Sequence, residues 1–358
     1  VPALSLRSIK PLHYLLVALP VAILGSLLHW NPLFNFAVCC VGLIPLAELI
    51  GEATEQLAVF TGPKIGGLLN ATLGNAAELI ITIVAIRAGL FDLVKASITG
   101  SIIGNLLLVM GASLLLGGLK NGPQTFNRAH ATNNGTMLAL AVLALCVPSV
   151  FSHTSAGATL PARTLESMSL GVAGVMIILY VLGLLFSLRG STAIAPAPSA
   201  EAAPHWSRRT SLIVLAVATA AVVWLSEILV ASVEPVTAAL GLSEFFLGII
   251  LIPIVGNVAE HLVAVEVSLK NKMDLSLEIA LGSSLQIALF VAPVLVFVSL
   301  LFGKELNLVF NQFELLALIG AVAISALVAS DGETNWLEGA QLLGVYVILA
   351  VAFYFLPG

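Results

Sequence analysis

GNAAE (Gly74 to Glu78) and GNVAEH (Gly256 to His261) each place a glycine, an amide and a carboxylate inside runs that are otherwise almost wholly apolar. A carboxylate at the centre of a spanning helix costs about 2.5–3.5 kcal/mol on insertion scales, so an acid kept there points to function. Asn75 precedes Glu78 by three residues and Asn257 precedes Glu260 by three, which puts amide and carboxylate on one helical face. Two such acids brought together repel unless they are protonated or bridged by a cation. With amide, hydroxyl and freed carbonyl oxygens around them they would form a hard, all-oxygen site of the kind Ca2+ takes. Glu78 and Glu260 are therefore the expected cation- and proton-binding pair. Ser101 and Asn105 in GSIIGN, and Ser283, Ser284 and Gln286 in GSSLQ, offer further oxygens one helix later. Gly74 and Gly256 weaken the helix locally, permitting close approach or a break. His261 reads either as a satisfied buried imidazole or as a group titrating beside Glu260.

Other acids are less decisive. Glu48, Glu52 and Glu55 share one face, and Glu227 and Glu234 echo Glu48 and Glu55; they read as acids along an ion pathway or as residues at span ends. Asp92 and Asp274 open helices and read as caps or dipole partners. Cys39, Cys40 and Cys146 lie in apolar segments without metal-ligand or disulfide spacing and read as small buried hydrophobes. No HExxH and no G-K-[ST] phosphate loop occurs, so neither zinc peptidase chemistry nor ATP coupling is expected, and the chain reads as a non-enzyme without a cofactor. A net charge of -5 leaves no basic patch for nucleic acid.

Membrane helices must position these groups. Of 358 residues 59% are hydrophobic and 9% charged, with a mean hydropathy of +1.09, whereas soluble domains carry roughly 25% charged residues. Apolar runs bounded by Pro, Gly and charges predict spans near 11–29, 33–58, 63–89, 93–118, 136–151, 166–187, 210–232, 243–269, 274–302, 312–330 and 335–356. The opening basic-then-apolar stretch is too long for a secretory signal and lacks a clear cleavage site, so it is read as a retained first span, with a little sequence expected upstream. A Pro/Ala-rich polar stretch between spans six and seven reads as a flexible linker. Ten Lys and Arg fall on the N-terminal side of the membrane and four on the other, which predicts a cytoplasmic N-terminus.

The halves also repeat. Gly74 to Ser101 aligns with Gly256 to Ser283 without a gap at a shift of 182 residues, matching Gly-Asn, Glu, Asp-Leu and Gly-Ser pairs. AELIGEATE echoes SEILVASVE at a shift of 179. Each unit then holds five spans, and an odd number inverts the second unit, an architecture of secondary transporters with a site at the repeat interface. The predicted fold is an all-α integral membrane protein of about 11 transmembrane helices: an N-terminal segment and first helix (1–32), a five-helix repeat (33–187), the linker (188–209) and an inverted five-helix repeat (210–358).

GNAAELIITIVAIRAG with GSIIGNLLLVMG, and GNVAEHLVAVEVSLKNKMDLSLEIALGSSLQIALFVAP, resemble the two signature repeats of the calcium/proton exchangers (CAX) within the cation/calcium antiporter superfamily. The second is the more diagnostic, since GNxAEH, KNKMDL and GSSxQIA occur in order. The resemblance implies Ca2+/H+ exchange by alternating access, with Glu78 and Glu260 as the ion-exchanging acids and Asn75, Asn257, Ser101, Ser283 and Gln286 lining the site or its approaches. It implies Ca2+ and H+ as partners in a lipid bilayer and Ca2+ export from the cytosol; the short N-terminus and compact loops suit a prokaryotic cytoplasmic membrane, or a vacuolar or other internal one if eukaryotic. Homo-oligomer formation stays open. Two departures stand out: the linker holds a single acid, Glu201, where the family is often acidic, and Gly104 offers no hydroxyl where a Ser-Asn pair is common. Alternatives are a Na+/Ca2+-type exchanger, disfavoured because Ala77 and Ala259 precede the acids, and a passive divalent cation channel.

Overall fold

The computed structural model describes residues 11–154, 161–189 and 205–356. The described residues are helical nearly throughout. A first helix, α1 (Leu12–Leu27), turns at Asn31, whose side chain caps α2 by accepting from Leu33 N. Helix α2 (Pro32–Leu73) is broken at Gly62, where φ is 81°. After a second break at Asn75 come α3 (Ala76–Ala88), α4 (Phe91–Asn121), α5 (Arg128–Ser152) and α6 (Ala162–Arg189). The second half holds α7 (Arg208–Ala231), a short α8 (Val233–Leu240), α9 (Glu244–Leu269), α10 (Met273–Leu301), α11 (Gln312–Val328) and α12 (Trp336–Phe355). A two-residue antiparallel strand pair joins Gln124–Thr125 (β1) to Glu333–Thr334 (β2). Among the described residues eight helices are long and apolar enough to cross a membrane; α1, α11 and the span broken at Asn75 complete the expected eleven.

Helix α8 is one element the span pattern did not predict. It follows α7 after a one-residue interruption at Ser232 and ends at Gly241, where φ is 65°. Gly241 is the repeat counterpart of Gly62, at the same shift of 179 that relates the Glu48 and Glu227 segments. Both positions need left-handed backbone, which glycine adopts without a Cβ clash. A second difference concerns α5, which starts eight residues before the expected span. Its first two turns, RAHATNNG, are polar, yet Asn127 caps them by accepting from His130 N at 3.1 Å, and Asn134 is buried. Of these residues Arg128, Thr132 and Asn133 are exposed and Asn134 is buried, so the helix extends past its apolar stretch and hydropathy alone truncates it.

The packing is that of an inverted pair. Helix α2 lies on α7; α3 lies on α7 as α9 lies on α2; α4 meets α12 and α11 as α10 meets α6 and α5. The loop before each fourth helix docks on the other half: Lys95 Nζ donates to Val309 O at 3.1 Å, and Asn127 N donates to Asp274 Oδ1 at 2.5 Å, positions again 182 apart. Asp92 and Asp274 both sit in the first turn of their helices, as a dipole partner would. Outward faces of the outer helices are apolar, with Leu140, Leu143, Val147 and Val150 of α5 and Ile178, Leu182 and Phe186 of α6 exposed.

Lipid tails are as apolar as leucine, so helices here are held by close packing, not by escape from solvent. Gly100 of α4 faces the Ile249 carbonyl of α9 so closely that a Cβ would lie 2.1 Å from that oxygen; Gly248 approaches Leu93 and Ala96 in return. Gly339 of α12 likewise abuts Leu115 N, 2.2 Å from a hypothetical Cβ. Gly282, the repeat counterpart of Gly100, has open space around it. Gly100→Ala is therefore expected to lower stability by about 1–3 kcal/mol, whereas Gly282→Ala leaves the unfolding midpoint in detergent unchanged. Equal midpoints for the two variants, read by thermal unfolding, would contradict this packing.

Candidate functional site

The two signature segments meet at the centre of the molecule, where α3 and α4 of the first half face α9 and α10 of the second. They do so through their glycines. A Cβ at Gly256 would lie 3.6 Å from Glu78 Cβ, and a Cβ at Gly74 would lie 3.1 Å from Glu260 Oε1. Each half thus sets its glycine against the other half's acid, and the two carboxylates come close enough to repel.

Around Glu78 the donors converge. Its carboxylate is fully buried and accepts from Ser101 Oγ, from Ser97 Oγ at 3.4 Å and from Asn257 Nδ2 at 3.1 Å. The second half mirrors this less completely. Asn75 Nδ2 donates to Gln286 Oε1 at 2.8 Å, Ser283 Oγ donates to Asn75 Oδ1 at 3.3 Å, and the Ser283 hydroxyl also interacts with Glu260. Two acceptors remain without a donor although both are buried: Glu260 Oε2 and Asn257 Oδ1. Orphaned buried acceptors carry a desolvation cost of about 1–3 kcal/mol each, which a bound cation removes. Together with Glu78 they form an oxygen set suited to a hard divalent ion.

Backbone irregularities frame this layer. The span of the first half that carries Glu78 breaks at Asn75, so Glu78 lies in the first turn of α3, whereas α9 runs helically through Gly256 and Asn257. The break that either glycine permits thus occurs in one half. Helices α4 and α10 each carry a π-helical stretch just past their serines, Gly104–Val109 and Ile287–Val291, and α9 has another at Leu247–Leu251. Such stretches loosen the carbonyl ladder and gather at functional sites.

Seven of the nine expected site residues, Glu78, Glu260, Asn75, Asn257, Ser101, Ser283 and Gln286, gather in this one network. Asn105 and His261 do not join the carboxylates; they pair with each other, His261 Nε2 to Asn105 Oδ1 at 3.2 Å, at the edge of the layer. Ser284 turns to its own helix, donating to Ala280 O. Ser97 was missed by sequence reasoning, although its position four residues before Ser101, on the same face of α4, was a usable signal. Among the pathway acids, Glu55 interacts electrostatically with Glu260, whereas Glu227 pairs with Arg87 at 3.0 Å on the exposed surface and Glu234 is exposed at the start of α8.

Accessibility around the site is uneven. Asn70, Leu73 and Gly74, which lead in from Gly62, are partly accessible, as are Glu260, His261 and Gln286. Ala76 to Glu78, Val255 to Asn257, Ser97 and Ser101 are buried, while Leu79, Ile80 and Ile254, toward the Asp92 and Glu244 end, are partly accessible. Of the two central acids Glu260 is partly accessible and Glu78 is fully buried.

The family model described as sodium/calcium exchanger protein matches residues 32–189 and 210–355. The chain is 45% identical over 359 residues to a Ca(2+)/H(+) antiporter of Aphanothece halophytica, covering 96% of both. It is 45% identical to the Ca(2+)/H(+) antiporter ChaA of Bacillus subtilis, covering 96% of this chain and 99% of that protein. The solved structure of native YfkE superposes with a TM-score of 0.85 at 42% identity, covering 97% of this chain and all of that one.

The geometry around Asn257 can be tested directly. Asn257→Asp sets a second carboxylate against Glu78, so without divalent cation the variant should unfold at lower temperature than the parent, and Ca2+ should raise its midpoint by more. An equal Ca2+-induced rise in both proteins, measured by thermal unfolding in detergent, would remove Asn257 from the cation's surroundings.

Proposed function

The chain belongs to the sodium/calcium exchanger protein family, and from that premise we propose that it is a Ca2+/H+ antiporter working through one central site. The observation that carries this reading is the pair of donorless buried oxygens, Glu260 Oε2 and Asn257 Oδ1, beside the donor-rich Glu78 carboxylate. Ca2+ supplies what those acceptors lack, and protonation of the acids supplies it differently. The two ligands therefore exclude each other.

Coupling follows from the cost of charge in a membrane. Bare, mutually repelling carboxylates are expensive to enclose, so the site crosses readily only when Ca2+ or protons neutralise it. In the present state a cation arriving from the Gly62 side meets Glu55 and then Glu260 before it reaches the buried Glu78. The excess of Lys and Arg makes that side cytoplasmic, so in this reading cytosolic Ca2+ loads by way of the partly accessible Glu260. Exchange for protons on the far side exports it. The protein is a multi-pass membrane protein; likeness to bacterial antiporters along almost its full length supports a prokaryotic cytoplasmic membrane with the N-terminus inside. Ala77 and Ala259 ahead of the acids favour H+ over Na+ as the coupled ion.

In everted vesicles an imposed pH gradient should drive uptake of radioactive Ca2+, and Glu78→Gln or Glu260→Gln should reduce it to background while folded protein stays in the membrane. Transport retained by both variants would overturn the assignment of the two acids. Ca2+ flux that persists after the pH gradient is dissipated would mark a passive channel.

A further inference from the structure

Away from the central site, α1 and the cytoplasmic half of α2 bring together a different set of ligands. His13 stands in the first turns of α1, and Glu48 and Glu52 stand one turn apart on the facing side of α2. One ligand atom from each of the three lies within 4.8 Å of the others, and His13 Nε2 is 3.8 Å from Glu48 Oε2. His13 Nε2 is screened from solvent and makes no hydrogen bond, the contact to Glu48 being too long for one. Ligand atoms around a four-coordinate ion with bonds of about 2.0–2.2 Å lie roughly 3.3–3.6 Å apart. Small side-chain rotations would close the set, with no movement of either helix.

Glu48 and Glu52 are i and i+4 on an apolar helix, where like charges repel, and both are only partly accessible. Counted from Pro32 at about 1.5 Å per residue, they fall near the inner boundary of the bilayer core, and His13 enters at the matching depth. We propose that His13, Glu48 and Glu52 form a second metal site, which takes a divalent transition ion of the Mn2+, Co2+ or Zn2+ class.

The ligand chemistry separates this site from the central one. Ca2+ is held by oxygens alone, whereas an imidazole with two carboxylates suits first-row transition ions, with water completing the shell. An ion here ties α1, which belongs to neither repeat, to α2, which opens the first repeat and carries Glu55 one turn further on. The inference goes beyond Ca2+/H+ exchange and does not depend on it, because the central acids can be neutralised while this cluster is left intact.

The test uses the full chain in detergent with Glu78→Gln and Glu260→Gln combined, and Mn2+ as the probe. Electron paramagnetic resonance should find about one Mn2+ retained per chain, with nitrogen modulation from a bound imidazole. His13→Gln should remove that modulation, and Glu48→Gln with Glu52→Gln should release the ion. Loss of all bound Mn2+ from the folded parent variant, or retained Mn2+ without nitrogen modulation, would overturn the proposal. Where the combined variant fails to fold, Co2+ titration of the unmodified chain reads the same site through visible d–d absorption. A band that His13→Gln leaves unchanged overturns the proposal equally.

Discussion

Two carboxylates enclosed in a membrane protein need partners, and the crossing of α3 with α9 is what supplies them. The crossing is possible because each signature begins with glycine. Gly256 lets α9 come up against the backbone of Glu78, and Gly74 leaves room for the Glu260 carboxylate. A side chain at either position would hold the two halves apart and separate the acids from each other's asparagine and serine. Close approach is thus a condition of the chemistry as well as of the packing.

The halves are built alike but are not in the same state. Glu78 is sealed and accepts from three side chains, while Glu260 is partly accessible and keeps a bare oxygen. The span carrying Glu78 is broken at Asn75; its counterpart is helical through Asn257. In an inverted repeat the opposite-facing state is reached when one unit rocks against the other around a fixed site. The asymmetry between Glu78 and Glu260 is what such a cycle has to reverse, and the π-helical stretches beside both serines give α4 and α10 the backbone slack to do so.

Stability and function draw on the same residues unequally. Gly100 and Gly339 serve contact between helices, with carbonyls and amides of the neighbouring helix where a Cβ would go. Glu314, buried at the head of α11, is held by Thr99 Oγ1 at 2.9 Å and by its own cap, Asn311 N at 2.8 Å, so an acid absent from the sequence reading proves well satisfied. Buried charge in this fold is therefore of two kinds. Glu314 has its partners within the protein; Glu260 has an acceptor that none of the described residues fills.

The sequence by itself determined the eleven spans, the duplication and the seven polar residues of the central network. The reason is energetic: a carboxylate or amide within an apolar run is costly enough to mark its place, and two copies in register mark a pair. Tertiary structure decided the rest. Hydropathy marks only the apolar stretch of a helix, so the polar start of α5 and the eight-residue α8 escaped the pattern. Which half breaks at its glycine depends on the state of the transport cycle, and both signatures permit it. The pairing of His261 with Asn105, the addition of Ser97 and the meeting of His13 with Glu48 all depend on how helices cross, and spacing along one chain says nothing of side chains on another helix.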